Sequence, residues 1–294
     1  MNNNSLIVKQ KTMVKKYWVL FALPVLLLGL PSMVKNSTHE LSLKESDWNI
    51  GVALYSFNRF PFPTTLAKAK TTGVKYVEGF DFHKLAGEFG NKTMADLGPS
   101  DAIYIRKLLK DNGLTMRSMY VGKANDKESW QKAFELAKSL KIQYLVAEPK
   151  REHWDMVDKL AGAYKIKIAL HQHSREAGSI YWHPDSVLSA IKTHPNFGAC
   201  GDLGHWTRSG LDAVESLKKL EGHLISIHLK DLDASTQSAK DVKVGEGVID
   251  FEAVVNELKR QEFDGEVYVE CEHKMEDNLE DVIHAVKYFG NLTP

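Results

Sequence analysis

The sequence predicts a single-domain α/β fold, a closed (β/α)8 TIM barrel. Three observations predict it. Short apolar runs alternate with amphipathic segments of helical period, eight times between residue 48 and the C-terminus. Most of the apolar runs are continuous rather than alternating, the pattern of strands buried on both faces of a parallel sheet. The roughly 250 residues that remain after an N-terminal leader are the usual length of one such barrel. A doubly wound open sheet is the alternative. No Gly-rich GxGxxG follows the first strand, so dinucleotide binding has no support.

The elements follow in order. The first strand is expected over 50–57, IGVALYSF, and a short helix in TTLAKAKTTG ends at Gly73. The second strand is 74–80, ending with Glu78, and a long polar loop runs from Asp81 to Leu97. Pro99-Ser100-Asp101 opens a helix that stops at Asn112-Gly113, followed by a strand over 114–121 and a helix over 127–140. The fourth strand, 142–148, ends in Glu148-Pro149 and precedes a helix from Glu152 to Tyr164. The fifth, 166–173, carries His171-Gln172-His173, and Pro184-Asp185 opens the next helix. The sixth is FGACGD, 197–202, the helical segment LDAVESLKKLEG stops at Gly222, and the seventh is HLISIHLKD, 223–231. A helix over 250–261, a turn at Asp264-Gly265, an eighth strand over 266–272 and a last helix over 277–289 complete the chain.

The N-terminus reads as a leader. Lys9, Lys11, Lys15 and Lys16 precede the apolar run YWVLFALPVLLLGL, 17–30, the order of a secretory signal. The run is shorter than the roughly 20 residues that span a bilayer, and Pro24 interrupts it, so no stable membrane span is expected. An uncleaved anchor is the alternative, because PSM after Leu30 is not a clean small-x-small cleavage pattern. No cysteine follows the run to carry a lipid. The expected organisation is a signal peptide over 1–30, a flexible lead-in over 31–47 and the barrel over 48–294, in an exported, periplasmic protein.

Composition excludes one class of partner. Lys+Arg and Asp+Glu both number 38, so the net charge is zero, and nucleic-acid binders carry a basic excess. The 43% hydrophobic content suits a large core. Cys200 and Cys271 are expected to be buried free thiols.

The chemistry gathers at strand ends, where active sites of alternating β/α folds lie. Glu78, Glu148, His171 and His173, Asp202 and His205, His228 with Lys230, and Glu270 with Glu272 all fall there. Unpaired charges at this density cost several kcal/mol each, roughly, unless a cation or partners compensate. A divalent metal does so, and a mixed histidine and carboxylate set suits Mn²⁺, Zn²⁺, Co²⁺ or Fe²⁺ better than Ca²⁺. His83, His153, His183, His194, His223 and His284 receive no role. Trp182 and Trp206 are candidate apolar walls for a sugar face, and Lys230-Asp231 is a candidate structural ion pair. Glu246, between glycines, is expected to order its loop rather than react.

Four motifs in this order resemble the xylose-isomerase-like barrels, the sugar phosphate isomerase and epimerase superfamily. They are Asp202-Leu-Gly-His205, His228-Leu-Lys230-Asp231, Gly245-Glu246-Gly247-Val-Ile-Asp250-Phe, and Asp264-Gly265 followed by Val-Glu270, and the resemblance covers about residues 48–290. It implies one divalent metal on Asp202, His228 and Glu270, with His205 close to the substrate. The family's fourth ligand is a glutamate at the end of the fifth strand, usually in Glu-Asn-His, where this chain has His171-Gln172-His173. Either His171 replaces it or Glu148 supplies the carboxylate from the fourth strand. Losing one of the family's two proton-shuttling carboxylates leaves histidine as a candidate base.

The function this implies is an exported, metal-dependent (Mn, Co or Zn) sugar isomerase or epimerase. It would remove a proton next to a carbonyl, the metal stabilising the enediolate, with His173, His205, Glu148 and Lys230 as catalytic candidates. The partner is a small-molecule sugar or keto-sugar. β-Elimination from a 3-keto-glycoside is the close variant, since it needs the same enolate. A sugar-binding barrel without turnover and an endonuclease-IV-like nuclease are the other classes, the latter disfavoured by the zero net charge.

Overall fold

A computed structural model describes residues 48–293; the expected signal segment (1–30) and lead-in (31–47) lie outside the described residues. Eight parallel strands close into a barrel: β1 (Asn49–Ala53), β2 (Tyr76–Phe80), β3 (Thr115–Val121), β4 (Tyr144–Ala147), β5 (Lys167–Leu170), β6 (Phe197–Asp202), β7 (Leu224–Leu229) and, last in the chain, β10 (Glu266–Val269). Each strand pairs with its sequence neighbour, and β1 pairs with β10 to close the ring. The expected (β/α)8 barrel is the observed fold. Strand residues such as Val52, Val77, Leu145, Ile168, Ile227 and Val267 are fully buried, which is why these runs read as continuous apolar segments.

The helices form the outer layer: α1 (Phe62–Thr71), α2 (Ala102–Asp111), α3 (Lys127–Leu140), α4 (Trp154–Tyr164), α5 (Pro184–Ile191), α6 (Leu203–Arg208), α7 (Ala213–Lys219), α8 (Phe251–Arg260) and α9 (Leu279–Leu292). Aspartate side chains cap four of them: Asp126 accepts the Ser129 N–H at 2.8 Å, Asp202 the His205 N–H at 2.8 Å, Asp212 the Glu215 N–H at 2.9 Å and Asp250 the Ala253 N–H at 2.9 Å. No helix among the described residues is long and apolar enough to cross a membrane.

The structure departs from the expected boundaries where the site begins. β1 stops at Ala53, and Leu54–Phe57 is a 3-10 turn. β4, β5 and β10 end one to three residues early, so Glu148, His171, His173, Glu270 and Glu272 stand on the rim rather than in the ladder. Single hydrogen bonds carry the pairing slightly further: His171 N–H to Ala147 O at 3.1 Å and Glu270 N–H to Leu229 O at 2.9 Å. The seventh strand also stops short. Asp231–Leu232 (β8) pairs instead with Asp241–Val242 (β9) in a two-stranded antiparallel ribbon outside the barrel.

Candidate metal centre

The Asp202-Leu-Gly-His205 spacing is that of a helix cap. Asp202 ends β6 and caps α6, its Oδ1 accepting the His205 N–H at 2.8 Å. Capping engages one carboxylate oxygen and leaves Oδ2 facing the barrel mouth. It also fixes His205 three residues on, its ring Nε2 lying 3.9 Å from Asp202 Oδ2.

In His228-Leu-Lys230-Asp231, His228 and Lys230 are two residues apart and share a side. The Lys230 ammonium lies 3.3 Å from Asp202 Oδ2, 3.2 Å from Glu270 Oε2 and 2.6 Å from Glu272 Oε1. Asp231 does not pair with Lys230 as expected. It turns away and accepts backbone N–H groups from Leu232 and Gly245 at 2.9 Å, Gly247 at 2.9 Å and Ile249 at 3.3 Å. That ties down the Gly245–Ile249 loop. A Cβ on Gly247 would come within 2.3 Å of Asp231 Oδ1, so the motif requires glycine there. Asp231, not Glu246, therefore orders this loop; Glu246 is exposed and pairs with Lys243 at 3.0 Å.

His171, Asp202, His228 and Glu270 converge, each offering one donor atom, all within 4.8 Å of one another. His171 Nε2 is 3.5 Å and His228 Nδ1 3.7 Å from Asp202 Oδ2, and His228 Nδ1 is 3.2 Å from Glu270 Oε2. All four residues are buried. Asp202 Oδ2 and His228 Nδ1 make no well-aligned hydrogen bond and meet their neighbours, Lys230 at 3.3 Å and Glu270 at 3.2 Å, only as ion-pair contacts. Poorly satisfied buried polar atoms are costly, and a divalent ion between two imidazoles and two carboxylates would satisfy both. The donor set fits Mn²⁺, Co²⁺ or Zn²⁺.

Glu148, the alternative fourth ligand, stands behind His171. Its Oε1 accepts from His171 Nδ1 at 3.1 Å and from the His173 N–H at 3.1 Å, and it also bonds His173 Nδ1. Its Oε2 accepts from the Ser179 hydroxyl. One carboxylate thus holds two imidazoles, His171 with Nε2 toward the centre and His173 half-exposed at the mouth. Glu148, His171 and His173 also lie close enough to hold a metal, although these hydrogen bonds already satisfy them. Burial opposes the Glu148 charge, but the two imidazoles hold its carboxyl well below the usual range. Burial likewise opposes a charged His171, and its bonds to Asp202 and Glu148 raise it to about 10.

Sequence reasoning gave no role to one participant, Glu78. It is fully buried at β2 and bonds His228 Nε2 at 2.9 Å, while its other oxygen accepts from Ser118 at 2.7 Å. The signal was present, since a glutamate ends the second strand, but only the closed ring brings it to β7.

His205 Nε2 accepts from Lys230 Nζ at 3.2 Å, so its proton sits on Nδ1, a buried atom without a hydrogen-bond partner. Burial, then the cations around it, hold His205 neutral; only Asp202 opposes them. Burial opposes charge on Lys230 too, but Asp202, Glu270 and Glu272 keep it protonated. Across the mouth Tyr55, Phe80, Phe82 and Tyr120 pack ring to ring, 5.4–6.2 Å apart, and Tyr120 meets His171 edge-on at 5.5 Å. This aromatic wall replaces the expected Trp206, which is fully buried in the core. Trp182 is half-buried, with Arg175 stacked 5.4 Å over its ring. His83 and His194 are buried structural residues, bonded to Phe60 O at 3.0 Å and Asp155 at 3.0 Å. Both cysteines are free and buried.

A family model described as a xylose isomerase-like TIM barrel matches residues 66–291. The uncharacterised protein MJ1311 of Methanocaldococcus jannaschii is 31% identical over 116 residues, which span 38% of this chain and about two-fifths (39%) of that relative. The crystal structure of an uncharacterised protein from Parabacteroides distasonis aligns with TM-score 0.66 at 29% identity, covering 83% of this chain and 98% of that one. A D-tagatose 3-epimerase-like protein aligns with TM-score 0.64 at 18% identity, covering 83% and 98%.

Proposed function

Because the chain belongs to the xylose isomerase-like TIM barrel family, we propose that it is a divalent-metal-dependent sugar isomerase or epimerase that removes a proton next to a carbonyl through an enediolate. The observation that carries this reading is the convergence of His171, Asp202, His228 and Glu270 beside the paired imidazoles of His173 and His205, 4.9 Å apart. Similarity of fold to a D-tagatose 3-epimerase-like protein supports a sugar substrate.

Bound by those four residues, the ion supplies Lewis acidity toward a carbonyl and its neighbouring hydroxyl. The chain's own groups do the rest. Glu148 takes the His173 Nδ1 proton side, leaving Nε2 as the base at the mouth. His205 presents Nδ1–H as a donor, with Nε2 held by Lys230. Lys230 sets a fixed positive charge beside the oxygen on which negative charge develops. Tyr55, Phe82 and Tyr120 give the sugar an apolar face to lie against.

A second reading, β-elimination from a 3-keto-glycoside, is favoured by one observation. A cavity of about 380 Å³ opens beside Glu148, lined by Lys150, Arg151, Glu152, Gly178, Ser179 and Ile180. It offers room for a leaving group on the Ser179 side of Glu148. Incubating ketoses and 3-keto-glycosides with added Mn²⁺ or Co²⁺ and following them by NMR separates the readings: epimer or isomer in one case, released aglycone in the other. No change in any substrate would leave a sugar-binding barrel. The lysine-flanked run over 17–30 supports export to a periplasmic space; intact Met1 on soluble cytoplasmic protein, read by N-terminal sequencing, would reject it.

A further inference from the structure

The two histidines of the metal centre face it through different nitrogens. His171 offers Nε2 and His228 offers Nδ1, and each spare nitrogen meets a glutamate. For His171 that glutamate, Glu148, is its neighbour on the next strand and stands 16% exposed. For His228 it is Glu78, which reaches across the barrel interior from β2 to β7 with both side chains at most 1% exposed.

A neutral imidazole N–H needs only an acceptor. A serine, an amide or a carbonyl would serve, without the several kcal/mol that roughly attach to burying a carboxylate. Ser118 donates one hydrogen bond to Glu78 Oε2, and His228 meets Oε1 at 2.9 Å; no lysine or arginine forms an ion pair with Glu78 among the described residues. A full negative charge at this depth is balanced only when the imidazole carries positive charge to it, either its own or that of a cation on its far nitrogen. Nδ1 of His228, on that far side, is buried, makes no well-aligned hydrogen bond and points among Asp202, 3.7 Å away, and Glu270, 3.2 Å away.

We propose that Glu78 is a positioning residue of the metal centre: it holds the His228 proton on Nε2, turns Nδ1 to the cation and adds the charge that makes this imidazole a strong donor. Ser118 fixes the carboxylate in that pose. The inference rests on the metal-centre reading and extends it to a residue outside the ligand set. Carboxylate–histidine–metal arrangements of this kind are worth about 10–100-fold in metal affinity.

The test is metal binding by Glu78→Gln, which keeps the shape and still offers Nε2–H an oxygen but removes the charge. Affinity is read by chelator competition, and the Co²⁺-loaded protein by its visible absorption. The expected result is a folded variant by circular dichroism whose affinity falls about 10–100-fold and whose cobalt bands move. Wild-type affinity and an unmoved cobalt spectrum in folded Glu78→Gln would overturn the proposal. Should Glu78→Gln not fold, Ser118→Ala decides: several-fold weaker binding supports it, and unchanged binding overturns it. Wild-type protein that takes up no metal would overturn the metal centre itself and the proposal with it, whereas wild type that binds while Glu78→Gln binds equally well overturns the proposal alone.

Discussion

Gly204 lies directly against the aliphatic stem of Lys230: a Cβ built on it would stand 2.7 Å from Lys230 Cγ and 2.8 Å from Cβ and Cδ. Lys230 is 1% exposed and its ammonium is held by Asp202, Glu270 and Glu272, so the stem has nowhere to go. The glycine of Asp202-Leu-Gly-His205 is thus the space through which the lysine of His228-Leu-Lys230 passes. Gly204→Ala is expected to cost about 1–3 kcal/mol by overpacking and to displace the ammonium. The check is thermal unfolding beside turnover. A variant as stable and active as wild type would mean the stem repacks freely.

Metal binding should release protons. Without metal, bonds to Asp202 and Glu148 outweigh burial and hold His171 protonated up to about 10, and His228 is raised as well, burial being outweighed by the neighbouring Cys200 thiol and the carboxylates of Glu78, Glu270 and Asp202. Both imidazoles must be neutral to ligate. Affinity should therefore rise with pH across the range 6–9, by up to ~10-fold per unit for each proton displaced. Calorimetry at pH 7 in buffers of different ionisation heat would count the protons, and a count near zero would sink the idea. Stability of the metal-free protein follows the same groups. The raised His171 contributes fully below its ordinary 6.5 and loses its contribution as pH climbs toward about 10. The depressed Glu148 contributes above its ordinary 4.5 and loses it on acidification. The metal-free melting temperature should fall on both sides of the window between.

The proton chemistry predicts exchange. Wild-type enzyme in D₂O should exchange substrate C–H for deuterium even where net turnover is slow. His173→Gln or His205→Gln should leave metal bound yet slow exchange by roughly 10²–10⁴. Wild-type rates in both variants would move the base elsewhere, and Glu148, which buttresses His173, would be the next to replace.

The barrel and most of the centre were legible in the sequence because their signals are local. Strand runs such as FGACGD, which matches β6, and helix stops such as Asn112-Gly113, just past the end of α2, are read within a few residues. Asp202, His205, His228 and Glu270 were legible from motif spacing, and the structure supplies the reason: an N-cap, a same-side pair and a strand end. What was not legible depends on closure of the ring. Glu78 and His228 are 150 residues apart and meet only across the interior. Whether Glu148 or His171 faces Asp202, His228 and Glu270 turned on ring orientation, set by the one carboxylate that both His171 and His173 share. The core position of Trp206 also escaped. Its ring fills the space left at Gly201, where a Cβ would come within 2.8 Å of it.

Asp231 carries the last prediction. Its carboxylate gathers N–H groups from Leu232, Gly245, Gly247 and Ile249, and burial raises its pKa against the pull of those donors. Asp231→Ala would leave the donors on Gly245, Gly247 and Ile249 without their acceptor. An unsatisfied buried group costs about 1–3 kcal/mol, but this loop is half-open to water, so a total of ~2–4 kcal/mol is expected rather than the full sum. Because Asp231 directly follows Lys230 and opens the β8–β9 ribbon, the release should reach the site as well. The variant should be cut by protease between Lys243 and Ile249 faster than wild type, and metal should slow the cutting less than it does in wild type. Wild-type protease resistance together with an unshifted melting temperature would show that the ribbon, not Asp231, holds the loop.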